Sequence, residues 1–156
     1  MDSKGFIMIG TLTVGVLLSM AILEEPVPLN LGEPPKLEVV SCPGDGSCLF
    51  WAIGYHVMED AHTVRGKIVN ELDLNRSKYE SFVSGSYSKY VREMSMPGTW
   101  GDEPELAAAA HVYRRRVEVY DMNKKIISTY GGTCTFSGDP IRVRYNGSSH
   151  YDTLKI

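Results

Sequence analysis

The chain has 156 residues, one domain's worth, with 43% apolar residues, a formal net charge of −3 and a pI near 5.8. That balance excludes a general affinity for nucleic acid, and the one basic run, Arg114-Arg115-Arg116, reads as a solvated helix C-terminus rather than a phosphate patch. Three cysteines, Cys42, Cys48 and Cys134, are too few for a disulfide framework and lack Cys-x-x-Cys spacing, so neither a zinc site nor any other cofactor is expected and a reducing compartment suits the folded part.

In chain order, residues 6–23 come first, 18 positions without a charge. This is about the shortest run that spans a bilayer as a helix of roughly 20 residues. Three readings compete: a membrane anchor, a cleavable signal peptide with small residues around Ser19-Met20-Ala21, and a buried helix of the domain. Lys4 before the run and Glu24 and Glu25 after it would place the N-terminus in the cytosol and the domain outside, against the reducing compartment that the cysteines suggest. Pro26, Pro28, Pro34 and Pro35 then make a stiff, extended linker. The expected organisation is therefore a hydrophobic segment over 1–24, a Pro-rich linker over 25–36 and a globular domain over 37–156.

Leu37 to Ser41 is a short strand candidate. It leads into Pro43-Gly44-Asp45-Gly46-Ser47-Cys48, a tight polar turn. Leu49, Phe50, Ile53 and Val57 follow at the spacing of one buried helical face, which puts Cys48 at a helix N-terminus. Free N–H groups and the helix dipole there favour an anion, lower a thiol's pKa and offer amides to a developing oxyanion. A helix is expected over Thr63 to Leu72. One or two short helices follow over Arg76 to Met96, broken at Gly85, with Tyr79, Phe82, Tyr87 and Tyr90 as packing residues.

Asp102 and Glu105 form a capping box with Pro104 in the first turn, and the helix runs on through an alanine-rich stretch to Tyr113. Strands are expected over Arg116 to Asp121, Lys125 to Tyr130 and Ile141 to Tyr145, with Gly131 to Pro140 as a loop. Asn146-Gly147 signals a hairpin turn, followed by a last strand containing His150, Tyr151 and Asp152. Helices cluster before strands, so the fold class is α+β, a small and mostly antiparallel sheet with helices around it.

A thiolate nucleophile needs a base, and the base needs an orienting acceptor. Residues two apart on a strand share a face, about 6.5–7 Å apart at Cα, so Asp152 can reach the far nitrogen of the His150 ring. Asn146 and Asp45 are weaker candidates for that orienting role. His56 lies more than two turns along the helix from Cys48, and His62 and His111 have no acidic residue two positions on in a strand.

Asp45-Gly46-Ser47-Cys48-Leu49-Phe50, then Thr99-Trp100-Gly101-Asp102, then Val-Glu-Val-Tyr, then His150-Tyr151-Asp152 resemble, in that order, the ovarian-tumour (OTU) family of cysteine proteases. The resemblance covers roughly Leu37 to Ile156. It implies a papain-like fold with Cys48 as nucleophile, His150 as base and Asp152 as third member. Asp45 falls on the family's aspartate before the cysteine, and the loop Asp45, Gly46, Ser47, Cys48 on the one that forms the oxyanion hole. Trp100 and Gly101 match a motif that packs behind the site. Ser47 departs from the more common asparagine, Trp51 stands where smaller or polar residues are frequent, and the domain is short for the family.

The implied activity is hydrolysis of the isopeptide bond after the C-terminal glycine of ubiquitin or a ubiquitin-like modifier, free or in polyubiquitin chains. Two glycines thread a channel that side chains block, and Trp51, Trp100, Tyr145 and Tyr151 are the expected walls. The alternatives are a membrane-tethered, ubiquitin-binding domain with little activity, or a cysteine protease for another target such as a viral polyprotein. The chain is expected to be an intracellular monomer, anchored through residues 6–23 with its domain in the cytosol; secretion is the competing placement.

Overall fold

The computed structural model describes residues 36–132, 136 and 138–156. The expected hydrophobic segment 1–24, nearly all of the linker and Cys134 lie outside these residues. Among the described residues no helix is long and apolar enough to cross a membrane.

Among the described residues, five strands and five α-helices follow in order: β1 (Glu38–Val40), α1 (Cys48–Val57), α2 (Ala61–Leu74), α3 (Arg76–Tyr79), a 3₁₀ turn (Glu80–Phe82), α4 (Tyr87–Met94), α5 (Glu103–Tyr113), β2 (Val117–Tyr120), β3 (Ile126–Tyr130), β4 (Ile141–Tyr145) and β5 (Tyr151–Lys155). The strands form one sheet in the order β1-β5-β4-β2-β3. Three of its pairings are antiparallel, as expected, and β2 runs parallel to β4. The sheet is therefore mixed, because β3 returns the chain along the outer edge before β4 enters on the other side of β2.

The core sits between the sheet and α1. Leu49, Phe50, Ala52 and Ile53 are fully buried, each large side chain contributing roughly 2 kcal/mol by leaving water. The helix is pinned to β5 where the Thr153 hydroxyl donates to the Ala52 carbonyl at 2.6 Å. His56 is structural: its Nε2 sits 2.9 Å from the Arg142 carbonyl and docks α1 on β4. Ala108, Ala109 and Ala110 are buried on α5, which packs against α2. The capping box at Asp102 and Glu105 is present, with the Asp102 N–H donating to Glu105 Oε2 at 2.8 Å.

Two expectations need correction. Arg114-Arg115-Arg116 is more than a solvated terminus. Arg115 donates to the carbonyls of His56 (2.7 Å) and Asp139 (2.6 Å), and Arg116 pairs with Glu118, so the run ties the end of α1 to the sheet. The Asn146-Gly147 turn is not a two-residue hairpin. β4 and β5 pair from Tyr145 and Tyr151, leaving a five-residue loop, 146–150, between them. Gly147 supplies the left-handed φ of 87°. The Asn146 side-chain oxygen then accepts from the N–H groups of Ser148, Ser149 and His150, each at 3.0 Å. A side chain has taken the place of a backbone turn.

Candidate active site

Cys48 is the first residue of α1, with Ser47 as N-cap. The residue is 1% exposed, and its sulfur donates to the Ser149 carbonyl at 3.8 Å. The opposite ends of the domain thus meet at the residue next to His150. Among the described residues no hydrogen bond joins the sulfur to the His150 ring itself.

His150 Nε2 lies 3.0 Å from Asp152 Oδ1. That oxygen also accepts the Cys42 N–H at 3.1 Å, and Oδ2 accepts from Arg144 Nη2 at 2.6 Å. Burial alone would raise the Asp152 pKa, but these three donors, Arg144 foremost, hold the carboxyl below its usual range. An ionised carboxylate only accepts, so Nε2 carries the ring proton and Nδ1 keeps its lone pair. The i, i+2 reading of His150 and Asp152 therefore holds, although His150 itself stands just before β5.

The expected thiol activation is absent from this state. Burial pushes the Cys48 thiol up and the nearby Asp45 charge adds to it, outweighing the Tyr151 and Leu49 N–H groups. The helix terminus is present, but the sulfur is too desolvated for its dipole to win. Two amides of the expected oxyanion loop are engaged: Ser47 N–H donates to Asp45 Oδ1 at 2.9 Å and Cys48 N–H to the Asp45 carbonyl at 3.2 Å. Asp45 caps its own loop here through those two amides.

The four expected wall residues divide. Trp100, Tyr145 and Tyr151 line one cleft with Gly101, Asp102, Ser148 and Ser149, beside the carbonyl that receives the Cys48 thiol. Tyr145 stacks on Tyr151 at 4.9 Å between ring centroids, and Tyr151 is buried, so it supports Tyr145 from below. Trp51 is not with them. It points from the outer side of α1 into a separate groove with Val40, Cys42, Tyr55 and Met58. Cys42 lines that groove with its thiol pushed up to about 11, chiefly by burial, which makes it a poor nucleophile.

Glycines set the close approaches. A Cβ on Gly46 would fall 1.7 Å from the Gly98 carbonyl oxygen, so the nucleophile loop and the loop before α5 touch backbone to backbone. A Cβ on Gly101 would meet Leu49 Cδ2 at 2.7 Å, which explains why this glycine follows Trp100. Two contributors had no signal in spacing or motif: Arg144, directly opposite Asp152 across the β4–β5 pair, and Arg65, whose guanidinium donates to the Gly46 carbonyl and Ser47 Oγ.

A helix-tip cysteine near a histidine–carboxylate pair, in an α+β domain, is the arrangement of side chains that thiol hydrolases use. The model of the OTU-like cysteine proteases matches residues 43–153, and the chain belongs to that family. It is 34% identical over 137 residues to OVARIAN TUMOR DOMAIN-containing deubiquitinating enzyme 4 of Arabidopsis thaliana, covering 76% of this chain and 43% of that protein. It is 31% identical over 113 residues to OTU domain-containing protein 5 of Mus musculus, covering 70% of this chain and 20% of that protein. The chain thus spans less than half the length of these curated relatives. Among solved structures, an OTU domain in complex with ubiquitin superposes with a TM-score of 0.66 at 24% identity, covering 76% of this chain and 69% of that one. An OTU deubiquitinase from Wolbachia pipientis wMel bound to ubiquitin gives 0.62 at 15% identity, covering 78% and 97%. These likenesses establish the fold.

Proposed function

We propose that the chain is a thiol-dependent deubiquitinase, hydrolysing the isopeptide bond after the C-terminal glycine of ubiquitin or a ubiquitin-like modifier through Cys48, His150 and Asp152. The observation that carries this reading is the 3.0 Å bond from His150 Nε2 to an ionised Asp152, with the Cys48 sulfur on the neighbouring Ser149 carbonyl. The first relative named above is called a deubiquitinating enzyme, and two of the solved folds hold ubiquitin, which supports the substrate class.

In the proposed cycle His150 Nδ1 takes the thiol proton as the sulfur swings from Ser149 toward the ring. The thiolate attacks the glycine carbonyl, and loop amides released from Asp45 stabilise the oxyanion. Collapse breaks the C–N bond while His150 returns the proton to the leaving lysine amine. Water then gives its proton to His150 and its oxygen to the thioester carbon, releasing the modifier's carboxylate and the Cys48 thiol. The cleft of Trp100 and Tyr145 is the proposed seat of the diglycine tail.

The test is a ubiquitin probe with a C-terminal electrophile, applied to the full chain. Labelling of Cys48 alone, lost in Cys48→Ala, supports the assignment; labelling of Cys42 or Cys134 refutes it. The buried, protonated thiol and the self-capped loop favour a second reading, a ubiquitin-binding domain that does not turn over. Binding of ubiquitin with no cleavage of chains or of a fluorogenic ubiquitin amide would select it. Anchoring through residues 6–23 is a separate proposal, tested by protease accessibility of the domain in intact membranes.

A further inference from the structure

Arg65 is a buried cation on α2, 3% exposed. Its Nη1 donates to the Met94 carbonyl at 3.0 Å; its Nη2 donates to the Gly46 carbonyl at 3.1 Å and Ser47 Oγ at 3.0 Å. The guanidinium lies over the Phe50 ring, 3.9 Å from its centroid. Among the described residues no carboxylate lies within ion-pair distance of it. An arginine buried without a counter-ion is costly, several kcal/mol before its hydrogen bonds are counted. Two of those bonds go to the two residues that precede Cys48. The trans peptide turns the Gly46 carbonyl toward Arg65 and therefore the Ser47 N–H away from it, toward Asp45.

We propose that Arg65 is a positioning residue that fastens the Gly46–Ser47 peptide from behind and supplies the counter-charge for the negative charge that develops at Cys48. This rests on the reading of Cys48 as nucleophile. The charged and titratable groups facing this pair are Asp45 in the loop, Cys42 before it, Glu105 on α5, and His150, Tyr151 and Asp152 at β5. Asp45 is too far to pair with Arg65 and is committed to its own loop. Glu105 is committed to Tyr90 (2.7 Å) and the Asp102 N–H (2.8 Å). Glu105 and Asp45 thus act on the guanidinium only through space, with no direct ion pair, and the ionised Cys48 sulfur joins them as a third negative neighbour.

The test uses the full chain as wild type, R65M and R65K. Iodoacetamide labelling of Cys48 is followed against pH by mass of the Cys48 peptide, and kcat and KM are measured on a fluorogenic ubiquitin amide. R65M is expected to move the labelling midpoint up by about one pH unit and to lower kcat roughly ten- to a hundredfold with KM little changed. R65K keeps the charge but loses the fork, so its midpoint stays near wild type while kcat falls. A folded R65M with an unmoved midpoint assigns Arg65 to the fold alone and overturns the proposal, whatever its activity. If R65M does not fold, R65K decides: reduced kcat at an unmoved midpoint supports the proposal, and wild-type kcat overturns it. If the wild type fails to cleave ubiquitin amide, the functional reading falls, and the iodoacetamide midpoints still decide the role of Arg65.

Discussion

Arg144 and Asp152 face each other across the β4–β5 pair, with Nη2 2.6 Å from Oδ2. The salt bridge divides the carboxylate: one oxygen is given to the sheet, and the other is left for the His150 ring and the Cys42 N–H. Both side chains are mostly buried, 18% and 10% exposed, so the pair is not a screened surface contact.

Arg144→Met is therefore expected to lower kcat by about tenfold through a loosened imidazole, with KM near wild type. In an Asp152→Asn background the same change should cost nothing further, because the group it acts through is already gone. Steady-state kinetics on the four proteins of that cycle is the check, and additive losses would show that Arg144 acts elsewhere.

Asp45 works against the thiol in the resting state. Burial is the main force raising the Cys48 pKa, and the Asp45 charge adds to it. Asp45→Asn removes the charge and leaves the burial, so the midpoint of Cys48 alkylation should move to lower pH. Iodoacetamide rates measured across the pH range test the sign.

Gly46→Ala should be far worse than an ordinary glycine substitution, since its Cβ would overlap the Gly98 carbonyl. Backbone must separate from backbone, at a cost of at least about 3 kcal/mol. Gly101→Ala meets side-chain atoms of Leu49 and Phe50, which can yield, and should cost about 1–2 kcal/mol. Urea denaturation of both variants orders the two effects.

Glu105 is fully buried, and burial pushes its pKa up to about 7 despite bonds from the Asp102 N–H and Tyr90. A carboxyl raised in the folded state favours folding while it is protonated. That contribution is complete below the unfolded pKa and is lost as pH rises to about 7. Glu105→Gln lacks this dependence. The melting temperature of the variant relative to wild type should therefore climb as pH rises from about 4.5 to about 7 and level off beyond. Asp152, held low, acts in the opposite sense, its contribution fading only as pH falls below the ordinary aspartate range.

Much of the site was legible because strong local rules carried it. The apolar spacing after Cys48 placed the sulfur on a helix tip, and the two-residue period of β5 placed Asp152 beside His150. The Asp102–Glu105 pair announced its helix. What failed depended on distant partners. The ionisation state of Cys48 is set by how much protein covers it, and burial is a property of the fold, not of the residues beside it. Trp51 looked like a wall residue by proximity in sequence, but one position on a helix turns a side chain by about 100°, and it faces away. Arg115 read as a solvated charge and Arg65 stood out in no way, since nothing local reveals that a guanidinium will end on a carbonyl from another element.

The pairing of β1 with β5 carries a consequence for how the molecule is made. During synthesis the segment that leads to Cys48 emerges early and waits for its neighbour in the sheet until residues 151–155 have left the ribosome. A partial chain holds the sulfur without the imidazole, so the proposed thiol chemistry would be withheld from the nascent polypeptide until β5 slots between its two partners.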